Sequence, residues 1–200
     1  CAALQTNSHT TSSETISYSK LKSFLKLTKF TLSALVVFSA IITFFTVAEN
    51  FNWKQVFAIC VGGFLVTAAA NGFNQIIEKD LDKLMHRTKL RPIPTGNLTV
   101  NQALLFCGIF GVIGTVLLWV FTNPLCGIIG FASIVLYALV YTPLKRVTPF
   151  SVFVGAIPGA LPTLIGAIAA TEGFGQITFF AVLLFCIQFF WQFPHFWAIA

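Results

Sequence analysis

Six apolar stretches, each near the length that crosses a lipid bilayer, constrain the fold of this 200-residue chain more than any other feature. They cover residues 30–48, 53–77, 101–122, 124–142, 150–170 and 175–200. A helix of about 20 apolar residues crosses a bilayer, and a helix satisfies its own backbone hydrogen bonds there. We therefore predict an all-α fold, a polytopic transmembrane bundle with six helices present.

The composition also indicates a membrane protein, because 56% of the residues are apolar and 9% are charged. A soluble domain of this size needs more polar residues to cover its surface. Residues 1–18 are instead rich in Ser and Thr, with little apolar content, which is typical of a disordered segment. The sequence thus predicts a disordered tail over residues 1–20 and a membrane domain over residues 21–200.

Basic residues concentrate in three regions that an alternation of six helices places on one side of the membrane. They contain eleven of the twelve bases: Lys20, Lys22, Lys26 and Lys29, then Lys79, Lys83, Arg87, Lys89 and Arg91, then Lys145 and Arg146. Loops rich in Lys and Arg stay on the cytoplasmic side. We expect the N-terminus to face the cytoplasm, or the matrix in a mitochondrial inner membrane. The net charge of +6 then reflects topology and not nucleic-acid binding.

A polar face at the end of the second apolar stretch is the first candidate site. Asn74, Glu78 and Asp82 are four residues apart, so a helix presents their oxygen-bearing side chains on one face. Such a face can bind Mg²⁺, and Asp80 points elsewhere. The alternative is a solvated helix end whose acids pair with neighbouring bases. Asn71 favours the site, because it extends the polar face deeper into the apolar stretch.

Bases after this face form the second candidate site. Arg87, Lys89 and Arg91 precede or lie beside a rigid segment with two prolines and a glycine. Guanidinium groups suit phosphate oxygens. Next to a magnesium site, these bases indicate the other half of a diphosphate site. Alone, they would be ordinary positive-inside loops.

A histidine, a tyrosine and the cysteines are the remaining residues with possible chemical roles. His195 lies among aromatic side chains, where a neutral imidazole can ligate a haem iron or position a ring substrate, but a structural histidine is an equal alternative. Tyr141 is either part of the site or an interfacial tyrosine. The five cysteines have no metal-ligand spacing, and the four in or at the ends of the apolar stretches, all except Cys1, are predicted to be small buried apolar residues.

These residues resemble a known family. The pattern Asn-x-x-x-Glu-x-x-x-Asp from Asn74, followed by Arg-Thr-x-x-Arg-Pro at 87–92, resembles the first aspartate-rich motif of the UbiA-type intramembrane prenyltransferases. Three further runs are similar to the protohaem IX farnesyltransferase (haem O synthase) group of that superfamily. They are Tyr-Thr-Pro-Leu-Lys-Arg at 141–146, Gly-Ala-Ile-Pro-Gly-Ala-Leu-Pro-Thr-Leu-Ile-Gly at 155–166 and Trp-Gln-Phe-Pro-His-Phe-Trp at 191–197. The resemblance runs from about residue 22 to residue 200.

The resemblance implies an enzyme that farnesylates a vinyl group of haem B, using farnesyl diphosphate and Mg²⁺. It implies metal binding by Asn74, Glu78 and Asp82, and diphosphate binding by Arg87, Lys89, Arg91 and Lys145. It also implies that His195 and Tyr141 contact the haem. The implied location is the bacterial cytoplasmic membrane, with haem A synthase or an oxidase-assembly protein as partner.

Two departures from the family pattern affect this expectation. Gln75 and Glu78 stand where the family usually has Asp, which leaves the metal to Glu78 and Asp82. The family also has nine helices and a second aspartate-rich motif, expected shortly after the run at 191–197. We therefore expect the 200 residues alone to be inactive.

Two other functions are compatible with the same residues. A UbiA-type enzyme for another ring acceptor, such as a quinone precursor, would use the same acidic face. An ion-coupled transporter would bind its ion at Glu78 and Asp82, but transport sites lie near the middle of the membrane.

Overall fold

The computed structural model describes residues 20, 22–50 and 52–199, and this part of the chain is helical without strands. Its main helices are α1 (Phe30–Val47), α2 (Trp53–Ile77), α3 (Lys79–Leu84), α4 (Val100–Phe121), α5 (Pro124–Leu144), α6 (Ser151–Ala169) and α7 (Phe179–Ile199). Residues 22–27 form a further short helical segment before α1. The tail predicted over residues 1–20 lies, except for Lys20, outside the described residues.

The predicted transmembrane bundle is confirmed. Helices α1, α2, α4, α5 and α6 are long and apolar enough to cross a membrane. Their bounds agree with the apolar stretches to within two residues. Helix α7 has 21 residues and begins four residues after the start of the predicted stretch, because residues 175–178 form a non-helical approach to it.

Local sequence explains where the spans begin. At the start of α4, the Thr99 side chain accepts a hydrogen bond from the Gln102 backbone, and the Gln102 side chain accepts one from the Thr99 backbone. This reciprocal cap satisfies two backbone donors that no helical carbonyl reaches. At the start of α5, Asn123 accepts from the Cys126 backbone, and Pro124 occupies the first helical position. The short turn between α4 and α5 follows from these local features.

Small residues allow the helices to pack closely. A Cβ atom on Gly114 of α4 would lie 2.8 Å from the Gly62 carbonyl oxygen of α2, and one on Gly166 of α6 would overlap the Ala40 carbonyl of α1. Helices in a bilayer associate through such close contacts because the lipid chains are as apolar as the side chains, so the hydrophobic effect does not drive the helices together. Cys107 and Cys126 are buried in this packing, as predicted for small apolar residues.

Contacts between helix ends define the two ends of the bundle. At one end, Gln55 of α2 donates to the Ala169 carbonyl, and Asn123 donates to the Ile168 carbonyl. At the other end, Arg146 donates to the Ile77 carbonyl at the end of α2. This second end carries the bases of the loops after α3 and α5, and it is called the basic end below.

Candidate active site

The three predicted oxygen ligands lie along one continuous helical path at the basic end. The Glu78 N–H donates to the Asn74 carbonyl at 3.0 Å, and the Asp82 N–H donates to the Glu78 carbonyl at 2.9 Å. Glu78 has φ −92° and ψ 3°, which separates α2 from α3 without breaking these two bonds. The i, i+4 relationship therefore holds for Asn74, Glu78 and Asp82 as the sequence predicts.

Both carboxylates are buried. Glu78 is 7% exposed and Asp82 is 2% exposed. Removing an ionised carboxylate from water costs several kcal/mol unless a counter-charge and hydrogen bonds compensate it. Each of these acids has such a partner, and each partner comes from a different loop.

The partner of Glu78 is Lys145, which follows α5. Lys145 Nζ lies 2.6 Å from Glu78 Oε1. The same ammonium lies 5.5 Å from the centre of the Tyr141 ring, within cation–π range. Tyr141 is itself held against α6, since a Cβ on Gly155 would lie 2.6 Å from Tyr141 Cε2. Tyr141 is thus a close neighbour of the ion pair.

The partner of Asp82 is Arg91, in the loop between α3 and α4. Arg91 Nη1 lies 2.6 Å from Asp82 Oδ2. The Thr88 hydroxyl donates to the Asp82 carbonyl at 3.1 Å, and the Arg91 N–H donates to the Thr88 carbonyl at 2.9 Å. These bonds fold the loop back over the end of α3, which carries the Arg91 guanidinium to the carboxylate.

Asn74 is oriented by Thr142, a residue that the sequence analysis did not single out. Asn74 Nδ2 donates to Thr142 Oγ1 at 3.0 Å, so Asn74 Oδ1 faces away from Thr142. The Thr142 hydroxyl and N–H both donate to the Tyr137 carbonyl. This carbonyl is available because residues 136–141 form a π-helical turn, a feature often found at functional sites.

Lys29 is the functional candidate that the sequence reasoning missed. It has φ 47° and ψ 58°, the left-handed region that costs a residue with a Cβ roughly 1–2 kcal/mol. Burial lowers the pKa of its ammonium to about 8, helped by the positive charges of Arg91 and Lys145 and opposed by Glu78 and Asp82. Lys29 therefore belongs to the same charge cluster. Its only sequence signal is its position immediately before the first apolar stretch.

Two buried amides extend the polar face below the ion pairs. Gln75 Nε2 donates to the Leu27 carbonyl at 2.8 Å, which ties the segment before α1 to α2. Gln75 Oε1 and Asn71 Oδ1 accept no hydrogen bond from any residue the structure describes. Buried acceptors of this kind are rare in folded proteins, and they mark a position suited to a polar ligand.

Other predicted site residues lie away from the ion pairs. Arg87 and Lys89 are exposed and form no ion pair with a described residue. His195 is exposed on α7 and stacks on Trp191, with 5.0 Å between ring centres. The structure does not bring these three side chains to Glu78 or Asp82, and their roles stay predictions.

Of the three acids from Glu78 to Asp82, the description of a solvated helix end whose acids pair with neighbouring bases fits only Asp80, which lies off the polar face. Asp80 is exposed and lies 3.7 Å from Lys83. Glu78 and Asp82 have no such local partner in the described chain, since their ion pairs are with Lys145 and Arg91. The prediction that Asp80 faces away from the other two acids agrees with this geometry.

The donor set fits magnesium shared with a phosphate ligand. Each carboxylate uses one oxygen in its ion pair and has a second that can bind a cation, and Asn74 Oδ1 is a third hard oxygen donor. In the described chain, no three His, Cys, Asp or Glu residues cluster as a complete metal cage. Magnesium is usually held by one or two carboxylates together with substrate phosphates, which is what this set provides.

Fold and site together define a class: a multi-pass helical membrane protein with a buried acidic face and basic partners at one end of the bundle. Residues 34–200 match the UbiA prenyltransferase family. Because this match covers most of the chain, the chain belongs to that family.

The name of a curated relative states a particular activity for that relative. The chain is 47% identical over 183 residues to a protein from Christiangramia forsetii named protoheme IX farnesyltransferase, covering 92% of this chain. The chain spans 60% of the length of that relative.

Two solved structures share the fold. One, described as digeranylgeranylglyceryl phosphate synthase in membranes, has a TM-score of 0.74 at 23% identity over 85% of this chain and 58% of its own. The other is a UbiA homologue from Archaeoglobus fulgidus bound to DMAPP and Mg²⁺. It has a TM-score of 0.69 at 16% identity, over 86% of this chain and 62% of its own.

Proposed function

We propose that the protein to which this chain belongs transfers a farnesyl group from farnesyl diphosphate to a vinyl carbon of haem B, giving haem O. The ion pairs of two buried carboxylates, Glu78 with Lys145 and Asp82 with Arg91, carry the proposal, because they join acids suited to a metal with bases suited to a diphosphate. The name of the Christiangramia forsetii relative supports haem as the acceptor.

Glu78 and Asp82, assisted by Asn74, are the proposed magnesium ligands. The bound ion would supply charge neutralisation for the diphosphate leaving group. Thr142 acts on Asn74 as a positioning residue, since its hydroxyl fixes which way the amide oxygen points. The Archaeoglobus fulgidus homologue, which shares the fold, binds Mg²⁺ together with DMAPP, and this supports magnesium as the metal.

Lys145, Arg91 and Lys29 are the proposed inner cations of the diphosphate site. The first two neutralise the carboxylates in the structure. Their donor groups can pass to diphosphate oxygens as the carboxylates take up the metal, so no buried charge is left without a partner. These groups stabilise the negative charge that grows as the C–O bond breaks. Arg87 and Lys89, exposed on the same loop, would attract the anion before it is bound.

The apolar helices and the aromatic residues next to the ion pairs provide the rest of the site. The allylic cation formed as diphosphate leaves must be kept from water until the vinyl carbon attacks it. That attack forms the new C–C bond and leaves a cation on the neighbouring vinyl carbon, where water then adds and loses a proton to give the neutral product. Tyr141, which lies beside Lys145, and His195 are proposed to contact the haem. With its basic end facing the cytoplasm, the protein would take farnesyl diphosphate from that side.

Membranes containing the protein at the full length of its relatives test the acceptor. They would be incubated with farnesyl diphosphate and Mg²⁺, and with either haem B or 4-hydroxybenzoate. We expect haem O to form and the hydroxybenzoate to stay unmodified. Prenylated hydroxybenzoate without haem O would assign a different acceptor, and diphosphate-independent ion uptake without either product would assign transport. If the protein matures haem for an oxidase, haem A synthase or an oxidase-assembly protein is its expected partner.

A further inference from the structure

A second basic cavity lies at the basic end, outside the site described above. It has a volume of about 170 Å³, room for about five water molecules, and lies between the helical segment 22–27 and the loop that precedes α4. Its lining residues are Lys22, Ser23, Lys26, Leu90, Pro92 and Asn97. None of them belongs to the Glu78 and Asp82 cluster.

The cavity is positively charged. Lys22 and Lys26 are one helical turn apart and both line it, and no acid lies in the lining. Neither lysine forms an ion pair with a described residue. The neighbouring Arg91 does not add to this positive charge, because its guanidinium is paired with Asp82. The two ammonium groups are therefore available to an anion.

Polar groups in the lining match the acceptors of a phosphate. Asn97 contributes an amide, whose N–H groups can donate to a phosphate oxygen. Together with the ammonium groups of Lys22 and Lys26, it offers several donors in a cavity that has room for a phosphate. Phosphate oxygens are acceptors that bind such charge-assisted donors strongly.

The position of the cavity favours a lipid headgroup as the source of the phosphate. Segment 22–27 ends just before Phe30, where α1 begins, and Asn97 lies three residues before α4 begins at Val100. The cavity therefore lies where two spans leave the membrane. Leu90 in the lining is 72% exposed and Leu25 in segment 22–27 is 50% exposed, which suits contact with lipid chains.

We propose that this cavity binds the phosphate of an anionic phospholipid at the membrane surface. Basic pockets at the ends of membrane helices bind such headgroups, and each lysine near an anionic surface contributes about fivefold in affinity. The site is separate from the proposed diphosphate site and does not depend on the proposed enzymatic function.

Native mass spectrometry of the chain in detergent, with phosphatidylglycerol or phosphatidylcholine added, tests this proposal. We expect phosphatidylglycerol to bind in preference to phosphatidylcholine. The double variant Lys22→Gln/Lys26→Gln should weaken phosphatidylglycerol binding by at least about tenfold. Lys54→Gln removes one charge from an exposed lysine at the other end of the bundle and should have no effect.

Two further measurements distinguish the outcomes. Asn97→Asp puts a negative charge into the cavity with almost no change in side-chain volume and should weaken binding. Asn101→Asp makes the same change at an exposed residue of α4 that does not line the cavity, and it should not weaken binding. Inorganic pyrophosphate that displaces phosphatidylglycerol would assign the cavity to a free phosphate ligand instead of a lipid. Equal binding of both lipids, or equal binding by wild type and the double lysine variant, would overturn the proposal.

Discussion

Lys145 Nζ lies 2.6 Å from Glu78 Oε1, and this ion pair joins the end of α2 to the loop after α5. The two residues are far apart in sequence, so the pair joins α2 and α5, which the chain connects only through α3, α4 and the loops between them. Because the Glu78 side chain is 9% exposed and that of Lys145 is 32% exposed, the pair is shielded from solvent on the Glu78 side.

Breaking this pair from one side should destabilise the bundle. Glu78→Ala and Lys145→Ala each leave a charge without its partner, and each should lower the free energy of unfolding by about 2 kcal/mol. The double variant should lose less than the sum of the two. Steric trapping in micelles measures these free energies. Strict additivity would mean that the two residues do not interact.

The Asp82–Arg91 pair should hold the loop between α3 and α4. Arg91→Ala removes the guanidinium that fixes this loop, so amide hydrogen exchange should accelerate over residues 88–98. Arg87→Ala changes the same residue type in the same loop, but Arg87 is exposed and makes no ion pair in the described chain. Its exchange profile should match wild type. Equal acceleration in both variants would remove any special role for Arg91.

Close packing of α1 and α6 should depend on Gly166. A methyl group there would overlap the Ala40 carbonyl, so Gly166→Ala should destabilise the bundle by about 1–3 kcal/mol. A Cβ on Gly108 of α4 would meet nothing within 4 Å, so Gly108→Ala should be neutral or slightly stabilising. Thermal unfolding in detergent compares the two. A destabilised Gly108→Ala beside an unaffected Gly166→Ala would contradict this packing.

Lys29 should make diphosphate binding depend on pH. Its pKa is lowered to about 8, so the ammonium is charged below that pH and loses its charge above it. A bound anion favours the charged form, so affinity should be highest below about pH 8 and fall as the pH rises through it. Relative to Lys29→Arg, which stays charged, pyrophosphate affinity should fall about eightfold between about pH 7.5 and about pH 9.

Isothermal titration of Mg²⁺-pyrophosphate against both proteins gives this ratio. The ionisation of pyrophosphate itself changes with pH in the same way for both proteins. The ratio of their two affinities therefore reports the titration of Lys29 alone. A ratio that stays constant over the pH range would exclude Lys29 from the anion site.

Much of this architecture could be predicted from the sequence, and particular residues explain why the rest could not. The spans follow from apolar length, and starts such as Asn123–Pro124 follow from local capping. The shared face of Asn74, Glu78 and Asp82 follows from helical geometry. The partner of each acid does not, because it depends on how loops distant in sequence fold across the basic end.

Lys29 was the hardest residue to predict. Its left-handed backbone is unfavourable for any residue with a side chain, so local preference argues against it. Thr142 and the π-helical turn before it were also hard to predict, because spacing rules assume a regular α-helix. The exposure of Arg87 and Lys89 also follows from the fold of the loop and not from their spacing.

Haem O formation by the full-length protein and by charge-matched variants tests the central claim most directly. Glu78→Gln and Asp82→Asn each remove one charge from a proposed metal ligand, and Asp80→Asn removes one from the exposed acid between them. In membranes containing equal amounts of protein, the first two should lower haem O formation at least about a hundredfold. Asp80→Asn should stay within about twofold of wild type. Wild-type haem O formation by Glu78→Gln or Asp82→Asn would contradict the proposed site.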